Sequence, residues 1–178
     1  MIKKRDNEEI EAFTRRILKE YKRYTAPVDP YALATDMGVD VYEVEFDDDV
    51  VSGMIQTEQG TTELFVNAYD SSRRKRFTVA HELGHILLHF SDIDGEYVDS
   101  ANDVHYNSKV MYRNNPDLTN DERYREYEAN QFAAALLMDS ELIAYSWERL
   151  KSVALMADLF RVSSSTMEIR LNTLGLLQ

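Results

Sequence analysis

The sequence predicts an α+β fold: a small antiparallel sheet, a buried helix bearing a polar motif, and a helical C-terminal body. Three observations carry that expectation. Apolar residues at helical spacing open the chain, β-rich segments broken by turn residues follow, and from Asp121 onward the pattern is helical to the end. With 178 residues, of which 44% are hydrophobic and 29% charged, the chain is long enough to bury a core and too apolar for gross disorder.

In "NEEIEAFTRRILKEYKRY", Ile10, Phe13, Ile17, Tyr21 and Tyr24 recur at helical spacing, with Asp6 or Asn7 as N-cap. "DPYALATDMG" reads as a short helix capped by Asp29, begun by Pro30 and stopped by Gly38. "VDVYEVEF" and "VVSGMIQT" are β-rich, Glu58–Gly60 is a turn signal, and "TTELFVN" is a further strand. Asp70, Ser71 and Ser72 offer N-cap chemistry for a helix running to about Phe90. The polar stretch from Ser91 to about Asn120 is long for a structureless loop, so short elements or a cover over a functional site are expected there. "DERYREYEANQFAAALLM", "DSELIAYSWERL", "KSVALMADLF" and "SSSTMEIRLNTLGLL" complete the helical body.

The chain has no cysteine, which excludes disulfides and thiolate ligands and accords with a reducing compartment. "MIKKRDNEEI" lacks the apolar run of a signal peptide, and no segment approaches the ~18 apolar residues of a membrane span. A cytoplasmic protein without a membrane partner is expected. The net charge of −12 repels phosphate backbones and would attract a basic partner, where it does more than maintain solubility. The cations of "SRRKR" (Ser72 to Arg76) oppose the macrodipole of their helix; a solvated face is the default reading, and pairing with acidic segments such as "FDDDV" is the alternative.

"RFTVAHELGH" (Arg76 to His85) holds the candidate chemistry. Helical positions four apart differ by about 40° in azimuth and about 6 Å along the axis, so His81 and His85 can reach one ion. Glu82 beside them is placed to take a proton from a water on that ion, the division of labour of H-E-x-x-H. Val79, Ala80, Leu83, Ile86, Leu87 and Leu88 make the helix apolar nearly all round, hence buried. Incidental histidines and a carboxylate there would be costly; a metal removes the cost. Gly84 in mid-helix points to close approach of another backbone.

A catalytic zinc needs a third protein ligand and one open position. His89 lies about 12 Å along the axis from His81, too far to share its ion, and reads as a polar residue at the helix end. His105 is a further candidate. "REYEANQFAAALLM" supplies the better one: Glu126 and Asn130 share a face, so a carboxylate ligand would sit beside an amide able to hold a histidine tautomer. Glu128 is the competitor, turned away by about 160°.

"RRKRFTVAHELGHILLH" with "EYEANQFAAALLM" resembles the ImmA/IrrE family of zincin-like metallo-endopeptidases, as do "DPYALATDMGVDVYEV", "VSGMI", "ELFVN" and the terminal "ALMADLFRVSSSTMEIRLNTLGLL". The resemblance implies Zn²⁺ held by His81, His85 and Glu126, with Glu82 as catalytic base and Asn130 behind a ligand. It further implies a zincin-like domain over residues 1–150, with residues 151–178 as a helical segment packed on it, and a protein substrate of the helix-turn-helix repressor class. Asp139 stands where the family usually has proline, which should change only the capping of the next helix. The oxyanion of peptide hydrolysis needs a further donor, for which Tyr97, His105, Tyr106 and Tyr112 are equal candidates. If "TELFVN" is a sheet edge, a substrate strand could pair with it. The rival reading from another class is a non-proteolytic or DNA-binding module, since the terminal stretch has the shape of a helix-turn-helix. Its second helix carries Arg170 as sole cation, so packing is the expected role and direct nucleic-acid binding is not.

Overall fold

The computed structural model describes residues 5–46, 52–58, 60–90 and 119–177. The first helix, α1 (Asn7–Glu20), is opened by a capping box in which Asp6 accepts from the Glu9 N–H and Glu9 returns the bond. It buries Ile10, Thr14, Ile17 and Leu18 and ends earlier than its apolar spacing suggests, because Lys22 turns into the left-handed region at φ 57°. Helix α2 (Pro30–Asp36) begins as expected, with Asp29 accepting from Tyr31 and Ala32, and Gly38 leaves it at φ 76°.

Three strands follow: β1 (Val39–Val44), β2 (Gly53–Glu58) and β3 (Thr61–Asn67). The α+β class holds, but the strand pairing corrects the antiparallel expectation. The order is β1-β3-β2; β2 and β3 form an antiparallel hairpin, whereas β1 runs parallel to β3. Period-two patterning marks strands without choosing their neighbours. Here β3 carries the fully buried Leu64 and Val66, and the central place satisfies its backbone on both sides. "TELFVN" is therefore not an edge, and no substrate strand can add to it. Among the described strands, β1 and β2 form the edges.

Helix α3 (Ser72–His85), capped by Ser71, passes into a π turn over Ile86–Phe90. The cations at its start are tied down locally: Lys75 to Glu43, Arg73 to Asp158, Arg74 to Asp70, and Arg76 to the Val28 carbonyl. The alternative partner weighed for them, "FDDDV", falls largely outside the described residues. Helix α4 (Asn120–Leu137) opens with a second capping box, Thr119 with Glu122. Asp139, in place of the expected proline, caps α5 (Ser140–Leu150) and also accepts from Arg15 and Tyr24. Helices α6 (Val153–Phe160) and α7 (Ser164–Thr173) end the chain. Their Met156, Phe160, Met167 and Leu171 enter the same core as Leu64, Leu83, Phe132 and Leu136. No helix among the described residues is long and apolar enough to cross a membrane.

Helix α3 lies between the sheet and α4. A Cβ on Gly84 would stand 3.1 Å from the Ala129 Cα and O and from Phe132 Cδ1, so the two helices meet backbone to backbone, as the mid-helix glycine suggested. Gly84→Ala is expected to cost about 1–3 kcal/mol by overpacking, more than the gain of up to about 1 kcal/mol in helix propensity. The denaturant midpoint checks it: an unchanged or raised midpoint would contradict the close approach.

Candidate metal centre

Because Val79, Ala80 and Leu83 are buried between sheet and α4, the intervening turn is carried inside with them, and His81, Glu82 and His85 are each 4% exposed or less. Helix α4 meets them with Glu126 and Asn130. His81 and His85 bring their Nε2 atoms within 3.0 Å of each other. Glu126 places Oε1 3.3 Å from His85 Nε2 and Oε2 3.5 Å from His81 Nε2. Donors at ~2.0–2.1 Å from a tetrahedral ion stand about 3.3 Å apart, and these separations match.

The hydrogen bonds behind the donors point the same way. Asn130 Nδ2 donates to the Glu126 carbonyl at 2.7 Å, so Oδ1 is the atom facing His81 Nδ1 at 3.2 Å. An amide oxygen only accepts. His81 therefore carries its proton on Nδ1 and turns a bare Nε2 lone pair inward. A bare nitrogen and a carboxylate oxygen facing each other repel unless a cation lies among them. The donor set fits a divalent metal, which His81, His85 and Glu126 would hold.

Glu82 behaves differently. Its Oε2 is buried with no hydrogen-bond partner. Burial pushes its carboxyl up to about 7; His81 opposes that shift and Glu126 adds to it. Such a group is poised to exchange a proton near neutrality. Gly53 on β2 makes room for it, since a Cβ there would lie 2.8 Å from Glu82 Oε1 and 2.5 Å from Thr78 Cγ2. Burial takes His85 down to about 4.

A family model described as the IrrE N-terminal-like domain, of the peptidases, matches residues 34–172. The chain belongs to the IrrE N-terminal-like peptidase family. Peptidases of this family are metal-dependent, in keeping with the buried cluster of His81, His85 and Glu126. A solved structure described as a Mycobacterium tuberculosis transcriptional regulator shares the fold, with a TM-score of 0.62 at 21% identity; the match covers 92% of this chain and 46% of that one. The IrrE-like chain thus spans about half the length of that neighbour. No curated protein matches the sequence.

The structure gives Glu128 another place, and His89 other surroundings, than the sequence suggested. Glu128 does not join the ligand atoms; its carboxylate meets His89 Nε2 at 3.1 Å and Arg5. His89 does stand at the helix end, but it is enclosed there: its side chain is 3% exposed, and its Nδ1 stands 3.1 Å from Nδ1 of His85. The available signal was the spacing His85–His89, which repeats that of His81–His85. His105, Tyr97, Tyr106 and Tyr112 lie outside the described residues.

Metal binding to the folded state should raise stability by RT ln(1 + [L]/Kd), about 2.7 kcal/mol at a hundredfold excess over Kd. Thermal melts with added Zn²⁺ and with chelator are expected to show that gain in the parent chain and to lose it in Glu126→Ala.

Proposed function

We propose that this chain is a zinc-dependent endopeptidase that cleaves a protein regulator of the helix-turn-helix repressor class. The observation that carries the reading is the buried trio His81, His85 and Glu126 with the unpartnered Glu82 carboxylate beside it. A set of two imidazoles and one carboxylate is a catalytic zinc set, three protein donors with a position left open. A net charge of −12 favours encounter with a basic, DNA-binding substrate. A substrate in gene control also accords with the structural neighbour's description as a transcriptional regulator.

Held by His81, His85 and Glu126, zinc would supply Lewis acidity, which lowers the pKa of a water toward ~7 and polarises a scissile carbonyl. Glu82 accepts the proton of the attacking water through its free oxygen and passes it to the leaving amine nitrogen. The water oxygen ends on the new carboxyl group with the second proton, which the product acid then loses to the amine or to solvent. Asn130 keeps His81 in the tautomer that presents Nε2, and Gly53 keeps the space that Glu82 occupies.

The DNA-binding alternative gains nothing from α7. Its one cation, Arg170, is buried, donates to the Met138 carbonyl and pairs with Glu11. Ser164, Ser165, Glu168, Ile169, Asn172 and Thr173 make up its exposed positions, which offer no positive charge to a phosphate.

Incubation of the zinc-loaded chain with a helix-turn-helix repressor as candidate substrate, followed by intact-mass analysis, should yield two fragments summing to substrate plus one water. Glu82→Gln is expected to keep its metal and to cut about 10²–10⁴-fold more slowly. Undiminished cleavage by that variant would remove Glu82 from its role.

A further inference from the structure

Resting on the metal reading above, an inference extends to two side chains that touch no ligand position. With His85 Nε2 turned to His81 and Glu126, its Nδ1 faces the other way, 3.1 Å from His89 Nδ1. His89 Nε2 in turn stands 3.1 Å from Oε2 of Glu128. The Glu128 side chain is fully buried; its Oε1 accepts the Arg5 N–H at 2.8 Å, and the Arg5 guanidinium lies 3.7 Å from Oε2. Arg5 is itself fixed to the same helix, because Tyr124 donates its hydroxyl proton to the Arg5 carbonyl.

The donor and acceptor roles along this chain follow from its end. A carboxylate accepts only, so His89 must carry its proton on Nε2. With Arg5 already opposite Glu128, a second proton on the enclosed His89 ring would add an uncompensated buried charge. His89 Nδ1 is therefore a bare acceptor, and His85 must fill the 3.1 Å contact with an Nδ1–H. That leaves His85 Nε2 without a proton and aimed at His81 and Glu126.

We propose that His89 and Glu128 are positioning residues for the metal: together they lock His85 in the tautomer that offers Nε2 as a ligand. Glu128 is then no rival of Glu126 but the terminus of a relay Glu128–His89–His85, matched on the other side by Asn130–His81. One stretch of α4, Glu126 to Asn130, supplies a ligand and the anchors of both histidine tautomers.

Two near-isosteric replacements separate this role from packing. Asparagine sets an amide oxygen near the place of imidazole Nδ1, whereas glutamine sets its amide near that of Nε2. In the full chain, with Zn²⁺ alone as probe and a chromophoric chelator as competitor, His89→Asn should retain Zn²⁺ affinity within about threefold. His89→Gln should lose about 10–100-fold, the usual cost of disrupting an outer hydrogen bond to a ligating histidine. Equal affinities for the two variants, or parental affinity in His89→Gln, would overturn the relay. If His89→Gln does not fold by far-UV circular dichroism, Glu128→Gln carries the test with a several-fold loss, and parental affinity there overturns it too. A parental chain that takes up no Zn²⁺ fails in a different way: it sinks the metal reading, and the relay with it.

Discussion

At the crossing of α3 and α4 there is no room for one further methyl group. Gly84 faces the backbone of Ala129 and the ring of Phe132, and the other parts of the site take their positions from that approach. His81 and His85 lie on the turns flanking the glycine, and Glu126 and Asn130 lie on the turns flanking Ala129. Side chains of ordinary length then bring an imidazole nitrogen and a carboxylate oxygen within 3.3 Å. Were the helices held apart at a more usual 8–10 Å by larger residues, the donors would separate beyond the reach of a single ion.

Burying so many polar groups would unfold a protein of marginal stability unless each were answered. The answers come in a definite order. Helix α4 supplies Glu126 to both histidines, Asn130 to His81, and Glu128 to His89. Arg5, from the start of the described chain, compensates Glu128. Of the centre's own carboxylates, Glu82 keeps a buried oxygen without a hydrogen-bond partner. Asp70, Arg74 and Arg76 each also keep a buried polar atom without a hydrogen-bond partner, but Glu82 is the one that lies beside the donors, where a proton acceptor has a chemical use.

Much of this was legible in the chain. The spacing of His81 and His85, the apolar residues around them and the mid-helix Gly84 specify a buried helix with two donors on one face. Glu126 followed by Asn130 points to the facing helix, since a carboxylate ligand and an amide that holds a histidine tautomer would share one face there. Asp29 with Pro30, and Ser71 before α3, mark helix starts by local hydrogen bonding, which sequence records directly. Strand pairing was not legible, because alternation fixes which face is buried and says nothing about which strand lies alongside or in which direction. That is why the parallel β1–β3 pair and the central position of β3 differ from the simple meander. The contact between His89 and Glu128 escaped for a related reason: it joins side chains from different helices, and a distance between helices has no local signature.

The two segments that build the centre are about forty residues apart in the chain. No isolated fragment can hold it, since neither helix alone brings the donors together. Closing so long a loop costs conformational entropy that grows only slowly with length, and the hydrophobic contacts of Leu83, Phe132 and Leu136 offset that cost before any ion arrives. Assembly of the centre therefore waits on the docking of α4, and a chain with α4 undocked has two histidines without their carboxylate.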